Sequence, residues 1–184
     1  MKNFYRYTAT LITTAMLTMP IMGTANAGRL NVNDYVNCLT TSLDHFDGTI
    51  AEAAAATPDL STLYTLVGLA GLGDALSGTD HLTVYAPTNA AFEKVPAALV
   101  GLLTADPKGL LTSVLTYHVS PGIRDPRRAF LPKETMTLQG QTVFLEYENG
   151  KGSQVNQSGV NCKGVRTKNG VVWLIDSVLL PQFK

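Results

Sequence analysis

The chain has 184 residues, 45% of them hydrophobic and 15% charged, with 14 lysines and arginines against 14 aspartates and glutamates. That is enough for one domain with a full core and too little for a second of similar size. The charge balance gives no electrostatic reason to expect nucleic acid or an anionic membrane as a partner.

The first 27 residues read as a signal peptide. Lys2 and Arg6 form a charged start, residues 9–22 are apolar but rich in threonine, and Ala25-Asn26-Ala27 matches a cleavage site. Cleavage after Ala27 removes Lys2 and Arg6 from the 14 basic residues, leaving 12 against 14 acidic ones. No later stretch is apolar enough to span a bilayer, so the mature chain is expected to be secreted or periplasmic, with no membrane span. In an oxidising compartment, Cys38 and Cys162 are either bridged or two free thiols. Residues 28–46 read as a polar leader, helical or extended, held at Cys38.

From residue 47 the patterning strengthens. Thr49 with Glu52 three positions on is a capping box, which predicts a helix through the alanines at 53–56 that stops at Thr57-Pro58. Leu60, Leu63, Leu66, Val67 and Ala70 recur at helical spacing and define one buried face, ended by Gly68, Gly71 and Gly73. Residues 82–86 are apolar and β-branched and run through Pro87 into Thr88 and Asn89, a strand delivered into a helix start that carries Phe92. Pro96 opens a short helix with Leu99, Val100, Leu102 and Leu103. Asp106-Pro107 opens another, with Leu110, Leu111, Val114 and Leu115 inward. Residues 116–119 read as a strand closed by Pro121-Gly122.

Beyond residue 135 the period becomes two. Strands are predicted at 135–138, 141–147, 153–156, 160–167 and 171–174, separated by Gln139-Gly140, Asn149-Gly150 and Asn169-Gly170. The last dipeptide predicts a type I′ hairpin turn, because both residues tolerate positive φ. Helices first and strands last indicate an α+β fold.

Three separated segments resemble the signature of the fasciclin (FAS1) family: Thr83-Val84-Tyr85-Ala86-Pro87-Thr88-Asn89-Ala90-Ala91-Phe92, Leu115-Thr116-Tyr117-His118-Val119, and residues 169–181 with Trp173 and Asp176. The resemblance covers residues 47–182, and Leu138-Gln139-Gly140 with residues 160–165 is similar to the secreted single-domain bacterial type. It implies a wedge of two β-sheets with several helices alongside, no enzymatic activity, and a role in adhesion or interaction outside the cell. Thr83, Pro87, Thr88, Asn89, Phe92, Tyr117, His118 and Asp176 would then be structural motif residues. In that bacterial type the corresponding cysteines are bridged, which implies a bond between Cys38 and Cys162. Arg124-Asp125-Pro126-Arg127-Arg128 departs from the family pattern as a basic loop.

No catalytic constellation is legible. His45, His81 and His118 lack the spaced partners of a metal or hydrolase site, no serine sits in a nucleophile elbow, and no glycine-rich loop has phosphate-binding spacing. No enzyme, cofactor or metal is expected. Trp173 reads as core, and Asp176 as a turn-fixing or capping residue near the 83–92 segment. The candidate interaction residues are Arg124, Arg127, Arg128 and Lys133 on the basic loop, together with His118, which shares a strand with Tyr117 in this reading. The expected partner of this monomer is an unidentified cell-surface or matrix protein or glycan. The alternative is a carrier holding a small apolar ligand in a groove between helices and sheet.

Overall fold

The computed structural model describes residues 32–183, so the signal-peptide reading of residues 1–27 lies outside the described residues. α1 (Val32–Thr40) is a polar helix whose one buried residue is Cys38, and β1 (Asp44–His45) follows it. At α2 (Ile50–Ala56) the capping box forms as expected. The Thr49 hydroxyl accepts from the Glu52 N–H while the Glu52 carboxylate accepts from the Thr49 N–H. That backbone bond, with the Thr49 hydroxyl, holds the Glu52 carboxyl below the ordinary carboxylate range. A 3₁₀ turn at Pro58–Leu60 leads into α3 (Ser61–Ala70), where Leu63, Leu66, Val67 and Ala70 are buried as predicted. It ends at Gly71, whose φ of 69° is left-handed. A further short helix, α4 (Gly73–Ser77), was hidden by the glycines around it.

β2 (Leu82–Pro87) is buried along its whole length. Thr88 caps α5 (Asn89–Glu93), its hydroxyl accepting from the Ala91 N–H. α6 (Ala97–Ala105) starts after Pro96 as expected; of its large apolar residues Leu103 is buried, Leu99 and Val100 are half-buried, and Leu102 is exposed. The Asp106 carboxylate caps a π-helical turn at Pro107–Leu111, accepting from the N–H groups of Gly109 and Leu110. α7 (Thr112–Tyr117) continues from it.

Here the sequence reading fails. Residues 116–119 are not a strand: α7 runs through Tyr117, His118 is its C-cap, and β3 (Val119–Pro121) begins only afterwards. Leu111, Val114, Leu115 and His118 keep helical spacing. The β-branched Thr116 is accommodated because its hydroxyl bonds back to the Thr112 carbonyl.

The remaining strands are β4 (Lys133–Met136), β5 (Thr142–Glu148), β6 (Gly152–Val155), β7 (Ser158–Gly159), β8 (Val165–Thr167) and β9 (Gly170–Ile175). The expected strand 160–167 is broken into a bridge from Val160 to Ile175 and the short β8. The expected tight hairpin between the last two strands forms, but not as a type I′ turn at Asn169-Gly170. Thr167 pairs with Gly170, so the loop is Lys168-Asn169, and neither Asn169 nor Gly170 has positive φ. Glycine is needed at 170 for close approach, since a Cβ there would collide with the Leu82 carbonyl oxygen on the adjoining strand.

Two sheets result. The first has the order β1-β8-β9-β2-β3, the second β4-β5-β6-β7. β2 and β9 run parallel at the centre of the first sheet and are buried on both faces, as parallel pairs generally are. Alternation sorts their side chains: Val84, Ala86 and Val172 face the helices, while Tyr85, Val171, Trp173 and Ile175 face the second sheet. Helices, first sheet and second sheet are thus stacked layers of an α+β domain. The leader belongs to it, because β1 extends the first sheet in parallel with β8 and Cys38 is bonded to Cys162.

Candidate functional site

The motif residues spend their polar groups inside the fold. Thr83 donates from its hydroxyl to the Gly122 carbonyl at 2.7 Å and accepts from the Arg124 N–H at 2.7 Å. The strand containing it ends at Pro87, opposite Ile175. Asn89 accepts from the Thr62 N–H and donates to the Pro58 carbonyl and the Ser61 hydroxyl, tying α5 to the start of α3. Phe92 packs, half-buried, against the helical core. The Tyr117 hydroxyl donates to the Thr142 carbonyl and accepts from the Asn156 amide.

His118 is 2% exposed. Its Nε2 accepts from the Leu179 N–H at 2.9 Å, which places the ring proton on Nδ1, donating to the Val114 carbonyl at 2.8 Å. Burial, only partly offset by that carbonyl, pushes its pKa down to about 4. It is a neutral lock between α7 and the C-terminal segment and has no surface to offer a partner, contrary to its place among the interaction candidates.

Asp176 caps β7 rather than the 83–92 segment, accepting from the Gly159 N–H and from the hydroxyls of Ser158 and Ser177, while its backbone carbonyl accepts from Lys94. Partial burial pushes its carboxyl up, but the bonds from Ser177, Gly159 and Ser158 outweigh that and hold it below the ordinary range. A further buried lock, Asn169, accepts from the Ile50 N–H and donates to the carbonyls of Leu76 and Gly78. It sits in the hairpin loop, as its position before glycine suggested, and that position gave no sign of the bracket its side chain makes.

The basic loop divides. Asp125 and Pro126 open a 3₁₀ turn over Pro126–Arg128 that sends consecutive arginines opposite ways. Arg127 is 5% exposed. Its guanidinium makes a forked pair with Asp125, donates from Nη1 to the carbonyls of Cys38, Thr41 and Cys162, and lies 4.8 Å from the Trp173 ring centroid. Arg127 is therefore a bracket around the disulfide, and the expectation that it contacts a partner fails because its whole fork is used internally.

Arg124, Arg128 and Lys133 stay at the surface and share one cleft of ≈340 Å³ with Arg166 of β8, a residue the sequence reading missed. Asp125, Ile123, Ala129 and Leu145 complete its walls. Arg128 reaches Asp125 at 3.5 Å; among the described residues Arg124, Lys133 and Arg166 form no ion pair. The loop is anchored from behind, since the Arg124 N–H is held by Thr83 and its carbonyl accepts from the Trp173 indole.

Two other concavities differ in kind. A wide groove of ≈1270 Å³ is lined by Phe144, Gln141, Asn156 and Gln182 among others. Its amides are largely engaged: Gln141 is bonded to both backbone groups of Gln182, and Asn156 to the Phe144 N–H and the Tyr117 hydroxyl. Between the helices and the first sheet the cavity has only ≈30 Å³, against roughly 300 Å³ or more for a small-molecule pocket. The groove expected for an apolar cargo is closed. Among the described residues no cluster of three or more histidine, cysteine or carboxylate side chains could hold a metal ion, and no single helix is long and apolar enough to cross a membrane.

Comparison with known proteins agrees with the motifs. The Fasciclin domain profile matches residues 58–181. The chain is 42% identical over 139 residues to the cell surface glycolipoprotein MPB83 of Mycobacterium bovis, a match covering 72% of this chain and 60% of that protein. It is 39% identical over 137 residues to the immunogenic protein MPB70 of the same species, covering 72% and 68%. With protein sll1483 of Synechocystis it shares 40% over 134 residues, covering 72% and 73%. The match thus spans about three fifths of MPB83. Among solved structures, a FAS1 domain pair from the insect cell adhesion molecule fasciclin I superposes with a TM-score of 0.54 at 18% identity, over 73% of this chain and 51% of that one, a likeness of fold. With its signature segments braced together at the centre of the fold and its profile match across most of the chain, this protein belongs to the fasciclin family.

Proposed function

We propose that the chain works outside the cytoplasm as a non-enzymatic interaction module of the adhesion type, meeting an acidic partner at a cell surface or in a matrix. One observation carries this reading: Arg124, Lys133 and Arg166, without acidic partners among the described residues, surround a cleft whose loop is fastened from behind by two signature segments. The buried motif is scaffold and the exposed cations are the working surface. The signal-peptide pattern of residues 1–27 supports export, to the medium or the periplasm, and the name of MPB83 as a cell surface glycolipoprotein supports the location. The histidine of the Tyr-His motif is neutral and sealed, which supports a role without catalysis.

The test is a binding screen against envelope proteins and glycans at low and at physiological salt. Surface charge contacts weaken as salt rises, so binding should fall with salt and be lost in the triple variant Arg124→Gln, Lys133→Gln, Arg166→Gln. Tight binding indifferent to both salt and these substitutions would place the contact elsewhere.

A further inference from the structure

We infer that the cleft is a subsite for one anionic sugar residue of a polysaccharide, its carboxylate or sulfate group held by Arg124, Lys133 and Arg166. This rests on the interaction-module reading above and commits it to a ligand class. The first ground is charge: Arg124, Lys133 and Arg166 line one depression, and planar guanidinium forks match the paired oxygens of a carboxylate or sulfate. The carboxylate inside the cleft does not oppose an incoming anion, because both oxygens of Asp125 are bonded to the Arg127 guanidinium, at 2.9 Å each.

The second ground is shape. These cations rim a hollow of ≈340 Å³. That volume lies at the small end of ligand sites and suits a single charged ring. The third is the floor. Ala129 and Leu145 close it from the buried core, and Ile123, 42% exposed, presents the apolar surface beside the cations, which suits the C–H face of a sugar and offers nothing to a bare phosphate ion. The Arg124 backbone is also preorganised, fixed on one side by Thr83 and on the other by Trp173, so the ordering left for binding to supply is that of the side chains.

Calorimetric titration of the full chain with four probes tests this: oligogalacturonate, its neutral methyl ester, a sulfated dextran oligosaccharide, and polyglutamate. The expected result is saturable binding of oligogalacturonate or sulfated dextran, with the stronger of the two identifying the anion, and none of the ester. Each of Arg124→Gln, Lys133→Gln and Arg166→Gln should weaken that binding by about tenfold, the size of one lost charged hydrogen bond, with melting unchanged. Tighter binding of polyglutamate than of either saccharide would overturn the inference in favour of an acidic peptide. Equal binding of the ester, or indifference to the three substitutions, overturns it too. If both anionic saccharides fail while salt-sensitive binding to envelope proteins persists, the sugar subsite falls and the interaction module stands; if that binding is also absent, both fall.

Discussion

Arg127 and Arg128 are adjacent in sequence and opposite in role. On the inner side of the loop, Arg127 touches both ends of the disulfide, the Asp125 carboxylate and the Trp173 ring. On the outer side Arg128, with a side chain 80% exposed, has one long contact to the same carboxylate. A guanidinium taken out of water must have its donors met and its charge answered, whereas one left in water has lost little and gains little. The inner side is therefore where stability resides, and the outer side is free to vary or to bind.

Two substitutions probe the inner side hardest. Replacing Cys38 and Cys162 together by serine opens a covalent loop of 124 residues in sequence separation, for which chain entropy predicts a loss of about 4–5 kcal/mol, measured by urea unfolding. Arg127→Ala should cost about 3–4 kcal/mol, since it strands the carboxylate and three carbonyls at once. Because its Nη1 holds the carbonyls of both cysteines, the triple variant should lose less than the sum of the parts. Strict additivity would show that Arg127 and the bridge act separately.

This division was only partly legible in the sequence. The capping box at Thr49 and Glu52, the buried face of α3 and the strand-to-helix passage through Pro87 were readable because each is written in local spacing. Arg127 and Arg128 were not separable, since a loop has no period to say which side chain turns inward; the Asp125-Pro126 pair that starts the turn was the available clue. Arg166 could be seen to face outward from β8, but its approach to Lys133 depends on how the two sheets meet. Tyr117 and His118 were misread because Thr116 and Val119 favour strands, and helix packing overrode that preference. Asn169 was legible as a turn residue, but the bonds of its side chain to Ile50, Leu76 and Gly78 depend on long-range packing.

The two buried brackets away from the loop extend the same contrast. His118 is depressed to about 4 from its ordinary 6.5, so below 6.5 the unfolded chain takes up a proton that the folded chain refuses. Stability should therefore fall as pH drops from about 6.5 towards 4, by on the order of 3 kcal/mol at most. That window lies above the one for Asp176, whose contribution is lost only as pH falls below the ordinary aspartate range. Melting curves across it should slope for the natural protein and flatten for His118→Gln; an unchanged slope in that variant would assign the effect to another group. Asn169→Ala comes next, at about 2 kcal/mol, since it leaves the buried Ile50 N–H without its acceptor.

The smallest effect is the most discriminating. Arg128→Ala removes a full positive charge from the same turn as Arg127, yet its contact with Asp125 is long and open to solvent on the arginine side, so the expected change is within about 0.5 kcal/mol and shrinks further as salt rises. A cycle pairing Arg128→Ala with Asp125→Asn isolates that contact from the Arg127 fork, which uses both oxygens of the same carboxylate. A coupling well above 1 kcal/mol, a value outside the usual range for exposed pairs, would mean that Arg128 helps hold the turn. It would then belong with Arg127 among the structural residues, and the contrast between the two sides of the loop would rest on Arg124, Lys133 and Arg166 alone.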